Sequence, residues 1–211
     1  MVPKRLVGML LLTLGFLGSS ARAADSPMAT IRSAITQVTT ILEDPAYQGE
    51  QRRQERIEKV WQVVAPHFDM PELSQRVLGS HWRERTDSEK QEFVQLFTTL
   101  IEKTYSDTLT RYTSQVQFFF DQERVEGDSA QVNTRLVNPS LQKTIPMNYQ
   151  LHQVGGQWKV YDVVIENVSL VRNYRTQFDR ILSRSSYQDL VQDIKKKIQQ
   201  LAASPSAGAE G

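Results

Sequence analysis

The sequence predicts an α+β fold: a four-stranded antiparallel meander sheet with helices packed on it. Two observations carry this. Four runs rich in β-branched and aromatic residues follow one another between 116 and 166, separated by short turn signals. Helical periodicity flanks them on both sides, so the strands form one block instead of alternating with helices.

The helices before the sheet are read from spacing and punctuation. Ile31, Ile35, Val38 and Leu42 recur at helical intervals over 27–43, and Asp44-Pro45 ends the run. A second, charged helix over 50–65 carries Ile57, Val60, Trp61 and Val64 as its apolar stripe. Asp69 can cap a short helix over 71–78, with Pro71 in its first turn and Gly79 as terminator. Thr86-Asp87-Ser88-Glu89 is a capping box. It opens a long helix running to about Tyr112, whose apolar face is Phe93, Leu96, Phe97, Leu100, Ile101, Tyr105 and Leu109.

The strands are 116–123, 129–137, 144–154 and 157–166. Gly127-Asp128, Asn138-Pro139-Ser140 and Gly155-Gly156 separate them, the last a strong hairpin signal. Ile145, Met147, Tyr149 and Leu151 alternate with Asn148, Gln150 and His152, so one face is apolar. By the same alternation Tyr161, Val163 and Ile165 share a face. Phe118-Phe119-Phe120 cannot all point to one side, so at least one aromatic faces away. Two helices close the chain near 169–184 and 186–202, the first with Val171, Tyr174, Phe178, Ile181 and Leu182 inward.

The ends read differently. Lys4 and Arg5, the apolar run Leu6–Leu17 and Ala21-Arg22-Ala23 have the form of a secretory leader, expected to be cut near Ala23. The run is shorter than the roughly 20 apolar residues of a membrane span. A single domain over 24–203 and a disordered tail over 204–211 are expected. With the leader go Lys4, Arg5 and Arg22, so 25 basic residues become 22 against 24 acidic ones. A balance near zero argues against a nucleic-acid partner, which calls for a concentrated basic face. There is no cysteine, so an exported chain of this kind has no disulfide framework and rests on its core.

Catalytic motifs are missing. His67, His81 and His152 have no shared metal spacing, and neither a phosphate-binding glycine loop nor a Gly-x-Ser-x-Gly elbow occurs. Asp162 and Glu166 form a conceivable acid–base pair, for which a structural role is the preferred reading. Lys195-Lys196-Lys197 reads as helix-end charge compensation. No catalytic residue, metal or cofactor is therefore assigned.

Phe68-Asp69-Met70, Leu78-Gly79 and Trp82-Arg83 resemble the start of the MlaC, or toluene-tolerance, family. Trp158 to Val163, then Val168-Ser169-Leu170-Val171 and Asn173 to Phe178, resemble its second half. Asn167 departs from the family, which usually has glycine there, but Asn tolerates positive φ. The resemblance implies a soluble periplasmic carrier that holds phospholipid as cargo in an apolar pocket between sheet and helices. It implies exchange with an outer-membrane lipoprotein complex and an inner-membrane ABC transporter, in support of outer-membrane lipid asymmetry. A hopanoid-associated sister branch is the alternative within the family.

The pocket wall is expected to comprise Phe93, Phe97 and Leu100 from the long helix, Met147, Tyr149 and Leu151 from the third strand, and Tyr174 and Phe178 from the helix after the sheet. Each group shares an apolar face. Two other classes stay open. A small-molecule enzyme in a cup of this kind would place His152 or Asp162 beside a buried carboxylate, and a protein-binding adaptor would have an ordinary dry core. Arg175 is read as structural, pairing with Asp162 or Glu166, in preference to a phosphate clamp.

Overall fold

A computed structural model describes residues 26–111, 116–140 and 142–203 of the chain. The leader over 1–23, the tail over 204–211 and the helix end at Tyr112 lie outside them.

The helices before the sheet are α1 (Pro27–Glu43), α2 (Arg53–Val64), α3 (Met70–Leu78) and α4 (Asp87–Arg111). Ser26 caps α1 and Asp69 caps α3 through the amide of Glu72. The capping box of α4 forms as its residues require. The Thr86 amide donates to Glu89 Oε2 at 2.8 Å, and the Glu89 amide to Thr86 Oγ1 at 3.2 Å. The charged segment expected as one helix over 50–65 is a 3-10 turn over Glu50–Arg52, then α2, then another 3-10 turn over Ala65–His67. Pro66 explains the tightening at the end, since it supplies no amide to continue the helix.

The sheet is antiparallel, with strands β1 (Gln117–Glu126), β2 (Ser129–Asn138), β3 (Lys143–Val154), β4 (Gln157–Ile165) and β5 (Val168–Ser169) in sequence order. It therefore has five strands instead of the four expected. Glu166 and Asn167 take φ of 49° and 69°, the pair of positive values a type I′ hairpin needs. The chain folds back there, and Val168 pairs with Ile165. Asn167 occupies the left-handed position without glycine. At the β3–β4 hairpin Gly155 and Gly156 take φ of 58° and 78°.

One sheet face is buried. Across it run Leu136 opposite Ile145, Thr134 opposite Met147 opposite Ile165, Val132 opposite Tyr149 opposite Val163, and Ala130 opposite Leu151 opposite Val160. Helix α1 packs over it through Ile31, with Met28 and Ile35 beside it. The alternation of β4 breaks at a bulge between the pairs Gln150–Asp162 and Leu151–Val160. The extra residue is Tyr161. Val160 is thus buried with Val163, while Tyr161 lies against His152 and under the Arg76 guanidinium. The expected grouping of Tyr161 with Val163 and Ile165 is corrected by that bulge. In β1, Phe118 and Phe120 are half-buried, and Phe119 points out, 42 % exposed, with the Arg135 guanidinium 5.2 Å from its ring.

The buried apolar residues form two clusters. The helical one contains Leu73, Val77, Phe93, Phe97, Tyr174, Phe178 and Leu190; the sheet one contains Ile31, Val132, Tyr149, Leu151, Trp158 and Val160. Helix α5 (Leu170–Leu182) and helix α6 (Tyr187–Ala203) complete the first. Phe68 packs against both clusters. At this joint Phe68 bridges Val160 in parallel sense, and the Asp69 amide donates to the Val160 carbonyl at 2.9 Å. Asp69 Oδ1 accepts from the Glu72 amide at 3.0 Å, and Oδ2 lies 2.9 Å from His152 Nε2. One carboxylate thus caps α3 and ties it to β3. Asp69→Ala is expected to lower unfolding free energy by about 2 kcal/mol, from a lost cap and a lost cross-element bond. Asp69→Asn, which keeps the cap acceptor, is expected to recover most of it; urea unfolding of the pair of variants measures this.

Candidate functional site

The residues expected to line a pocket fall on both sides of the joint. Phe93, Phe97, Leu100, Tyr174 and Phe178 lie together in the helical cluster, and Tyr149 and Leu151 lie in the sheet cluster with Met147 half-buried against it. They do not form one contiguous group.

The helical half is an aromatic quartet. Phe93 stacks on Phe97 with ring centroids 5.7 Å apart, because residues four apart share one helix face. Phe97 meets Tyr174 edge-on at 5.1 Å and Phe178 at 5.8 Å. Tyr174 and Phe178 are again four apart, on α5, with centroids 5.6 Å apart. Edge-to-face pairs of this kind each contribute roughly 0.5–1.5 kcal/mol beyond area burial. Helix α5 is held in place by its start: Ser169 caps it through the Arg172 amide at 3.0 Å, and Asp162 Oδ1 accepts from the Val171 amide at 3.0 Å. Asp162 Oδ2 accepts from the Ser169 hydroxyl at 2.6 Å.

The sheet half is neutral as well. Burial pushes the Tyr149 phenol up to about 12 despite its hydrogen bond with Thr134. The Tyr174 phenol is raised further, by burial first and then by the neighbouring phenol of Tyr105. Both hydroxyls stay protonated at any physiological pH, so neither phenol adds charge to its cluster. Phe93, Phe97 and Leu151 are 0 % exposed, so no water-sized space adjoins them. A recess of about 120 Å³ between Gln122, Arg124, Gln131 and Asn133 is polar, and smaller than the roughly 300–1,000 Å³ of small-molecule sites.

The enzyme alternative asked for His152 beside a carboxylate, and Asp69 supplies one. The geometry gives that pair a structural task. Asp69 is committed to the α3 cap, and the imidazole lies edge-on to Tyr161, with ring centroids 5.3 Å apart. Asp162 and Glu166 do not converge. Asp162 holds the start of α5, while Glu166 sits in the hairpin turn, 3.4 Å from Lys143. His81 lies 3.1 Å from Asp179. Among the described residues no group of three or more His, Cys, Asp or Glu is placed to hold a metal ion. Lys195, read as helix-end compensation, bonds Glu92 across to α4 at 2.9 Å.

Arg175 pairs with neither acid expected for it. Its Nε donates to the Arg76 carbonyl at 2.6 Å, in the last turn of α3, and the side chain lies over Gly79. It joins α5 to α3 instead of to the sheet. A helix C-terminus leaves carbonyls unpaired, and that is the partner a sequence reading of charges overlooks.

Helices packed on a five-stranded antiparallel sheet, with apolar residues buried in two clusters, place the molecule in a known structural class. It superposes with a TM-score of 0.72 on a phospholipid-binding protein from Ralstonia solanacearum solved in complex with a phospholipid. The two are 25 % identical, and the match covers 84 % of this chain and 99 % of that one. The model of the MlaC protein family matches residues 32–196, and the chain belongs to that family. Among its relatives is the intermembrane phospholipid transport system binding protein MlaC of Haemophilus influenzae, 26 % identical over 67 % of this chain and 66 % of that protein. A toluene tolerance protein of Pseudomonas putida is 21 % identical over 77 % of this chain and 76 % of its own length.

The Arg175 contact has a direct test. Arg175→Ala is expected to lower unfolding free energy by about 1 kcal/mol. The loss in melting temperature should be the same for lipid-free protein and for protein as purified; a phosphate clamp would leave the lipid-free melting unchanged.

Proposed function

We propose that this protein binds phospholipid by its acyl chains and carries it between two membranes as a periplasmic shuttle. The observation that supports it most is the shared fold with a protein solved holding a phospholipid, nearly all of whose length is matched. Family membership and the name of the Haemophilus relative point the same way. The leader read in the first 23 residues supports export, and its partners on this reading are an outer-membrane lipoprotein complex and an inner-membrane ABC transporter. The reading includes no enzymatic activity and no cofactor besides the cargo.

The physics of the cargo explains why such a protein needs no catalytic group. Two acyl chains of about 15 methylenes each cost on the order of 24 kcal/mol to hold in water. A carrier exchanges one apolar surrounding for another, so the net transfer energy is small while the aqueous barrier falls.

On this reading the entering acyl chains must part the helical cluster of Phe93, Phe97, Leu100, Tyr174 and Phe178 from the sheet cluster of Met147, Tyr149 and Leu151, since no water-sized space adjoins Phe93, Phe97 or Leu151 in this structure. The neutral side chains suit that task. A charge is best tested at Met147, since the half-buried position tolerates it better than Leu100, which is 4 % exposed. Mass spectrometry of an organic extract of purified protein is expected to show phospholipid in near-stoichiometric amount, and a Met147→Asp protein of unchanged circular dichroism to lose most of it. A hopanoid in place of phospholipid would assign the chain to the other branch, and a lipid-free extract from wild type would reject the carrier reading. Separately, intact mass of protein from the periplasmic fraction is expected to lack about the first 23 residues; the full 24.2 kDa would reject export by cleavage.

A further inference from the structure

Helix α5 carries its wall residues on one side and an unusual charge on the other. Val171, Tyr174 and Phe178 are buried, while Arg172, Arg175, Thr176, Asp179 and Arg180 are exposed. Arg184 follows just past the helix end and is exposed too. Arg175 is used by the Arg76 carbonyl, and Asp179 by His81. The guanidinium groups of Arg172, Arg180 and Arg184 have no ion pair or hydrogen bond among the described residues.

Lys59, Arg83, Lys196 and Lys197 are also without an ion pair among the described residues, but only α5 with its end gathers three such arginines, and many other basic side chains are paired. Arg52 pairs with Glu55, Arg76 with Glu72, Arg135 with Asp121, Lys143 with Glu166 and Lys195 with Glu92. On a chain with nearly equal numbers of acidic and basic residues, unmatched charge gathered on one helix is a local field that a neutral average conceals. Arg172 and Arg180, eight residues apart, stand about 12 Å from each other along the axis. The apolar Val168, in the hairpin just ahead of α5, is 59 % exposed.

We propose that the outer face of α5, through Arg172, Arg180 and Arg184 with Val168 at its root, docks the protein on the headgroup layer of an anionic phospholipid bilayer. Guanidinium groups bind phosphate in bidentate fashion, and a bilayer presents phosphates in every direction without demanding a register. Spaced arginines on a convex helix need that tolerance. An exposed valine in the hairpin just ahead of the helix suits the boundary between headgroups and acyl chains. Docking by this face sets the helix that bears Tyr174 and Phe178 directly on the membrane from which the cargo comes. The proposal rests on the carrier reading for its purpose, but its contact is a separate one, made by side chains outside the wall.

The test is co-sedimentation of the purified protein with vesicles of phosphatidylcholine alone, or with 30 mol percent phosphatidylglycerol added as the probe, a composition of about one anionic lipid in three. Binding is expected for the anionic vesicles, weakening steeply with salt. An Arg172→Gln/Arg180→Gln/Arg184→Gln variant is expected to melt as wild type does, since none of these side chains has a partner to lose. Its partition onto anionic vesicles should fall on the order of 100-fold, from three charges each near the surface. Equal binding to both vesicles, or an undiminished partition of the variant, overturns the proposal. Normal anionic-vesicle binding by the variant together with lost transport in cells would assign the stripe to an acidic protein partner and likewise overturn it. Phospholipid in the organic extract reports on the carrier reading independently, so the two can fail separately.

Discussion

The arrangement of this molecule depends on one short stretch of extended backbone, Phe68-Asp69, laid against the edge of β4. The edge of a sheet offers unpaired amides and carbonyls, and here the Val160 carbonyl takes the amide of Asp69. That single bond fixes where α3 begins, because the same residue supplies the cap. The other end of the β4 edge is taken by β5, from which α5 springs under the control of Asp162 and Ser169. Two helices thus start from one strand edge, each with a carboxylate facing its amino terminus, where the helix dipole favours negative charge. Arg175 then ties the end of α3 to α5. The helical cluster is consequently positioned relative to the sheet by a few polar contacts, with Phe68 as the side chain that packs on both sides.

This division of labour follows from what each interaction can supply. Apolar burial is strong and undirected, so it stabilises each cluster but does not set their mutual orientation. Hydrogen bonds add about 1 kcal/mol each, yet their geometry is exacting. Joining two apolar clusters through such bonds gives them a defined mutual orientation without placing charge inside either. The raised phenol pKa values of Tyr149 and Tyr174 belong to the same pattern: these buried hydroxyls are held neutral.

Much of this was legible in the sequence, and the parts that were not share a cause. The capping box at Thr86 and Glu89, the double-glycine hairpin and the apolar faces of α4 and α5 are local, and local rules described them. Asn167 is instructive, since its tolerance of positive φ kept a hairpin turn where the family usually has glycine. Strand β5 escaped because two residues hold no periodicity. The bulge at Tyr161 escaped because an extra residue inverts alternation only downstream of itself, and Val160 and Val163 are equally apolar. The partner of Arg175 escaped for a different reason: charge suggests carboxylates, whereas the group within reach was a main-chain carbonyl 99 residues away. The candidate wall was legible as a set of apolar faces, but not its split between two clusters, which depends on how Phe68 seats the helices.

Helix α5 shows how little sequence a transport task requires on this reading. Its buried arc contributes Tyr174 and Phe178 to a wall, its flank contributes Arg175 to the frame, and its outer arc bears arginines that the fold does not use. These demands are compatible because helical periodicity separates them by about 100° per residue. They would conflict on a strand, which offers only two faces. A helix with one side in the wall and the other toward a membrane also couples two events through a rigid body. On the carrier reading, a displacement of α5 by an entering acyl chain would move its outer face by a similar amount, since a packed helix transmits displacement more readily than it deforms. That coupling needs no titrating group and no bound metal, only the caps that keep α5 at the edge of β4.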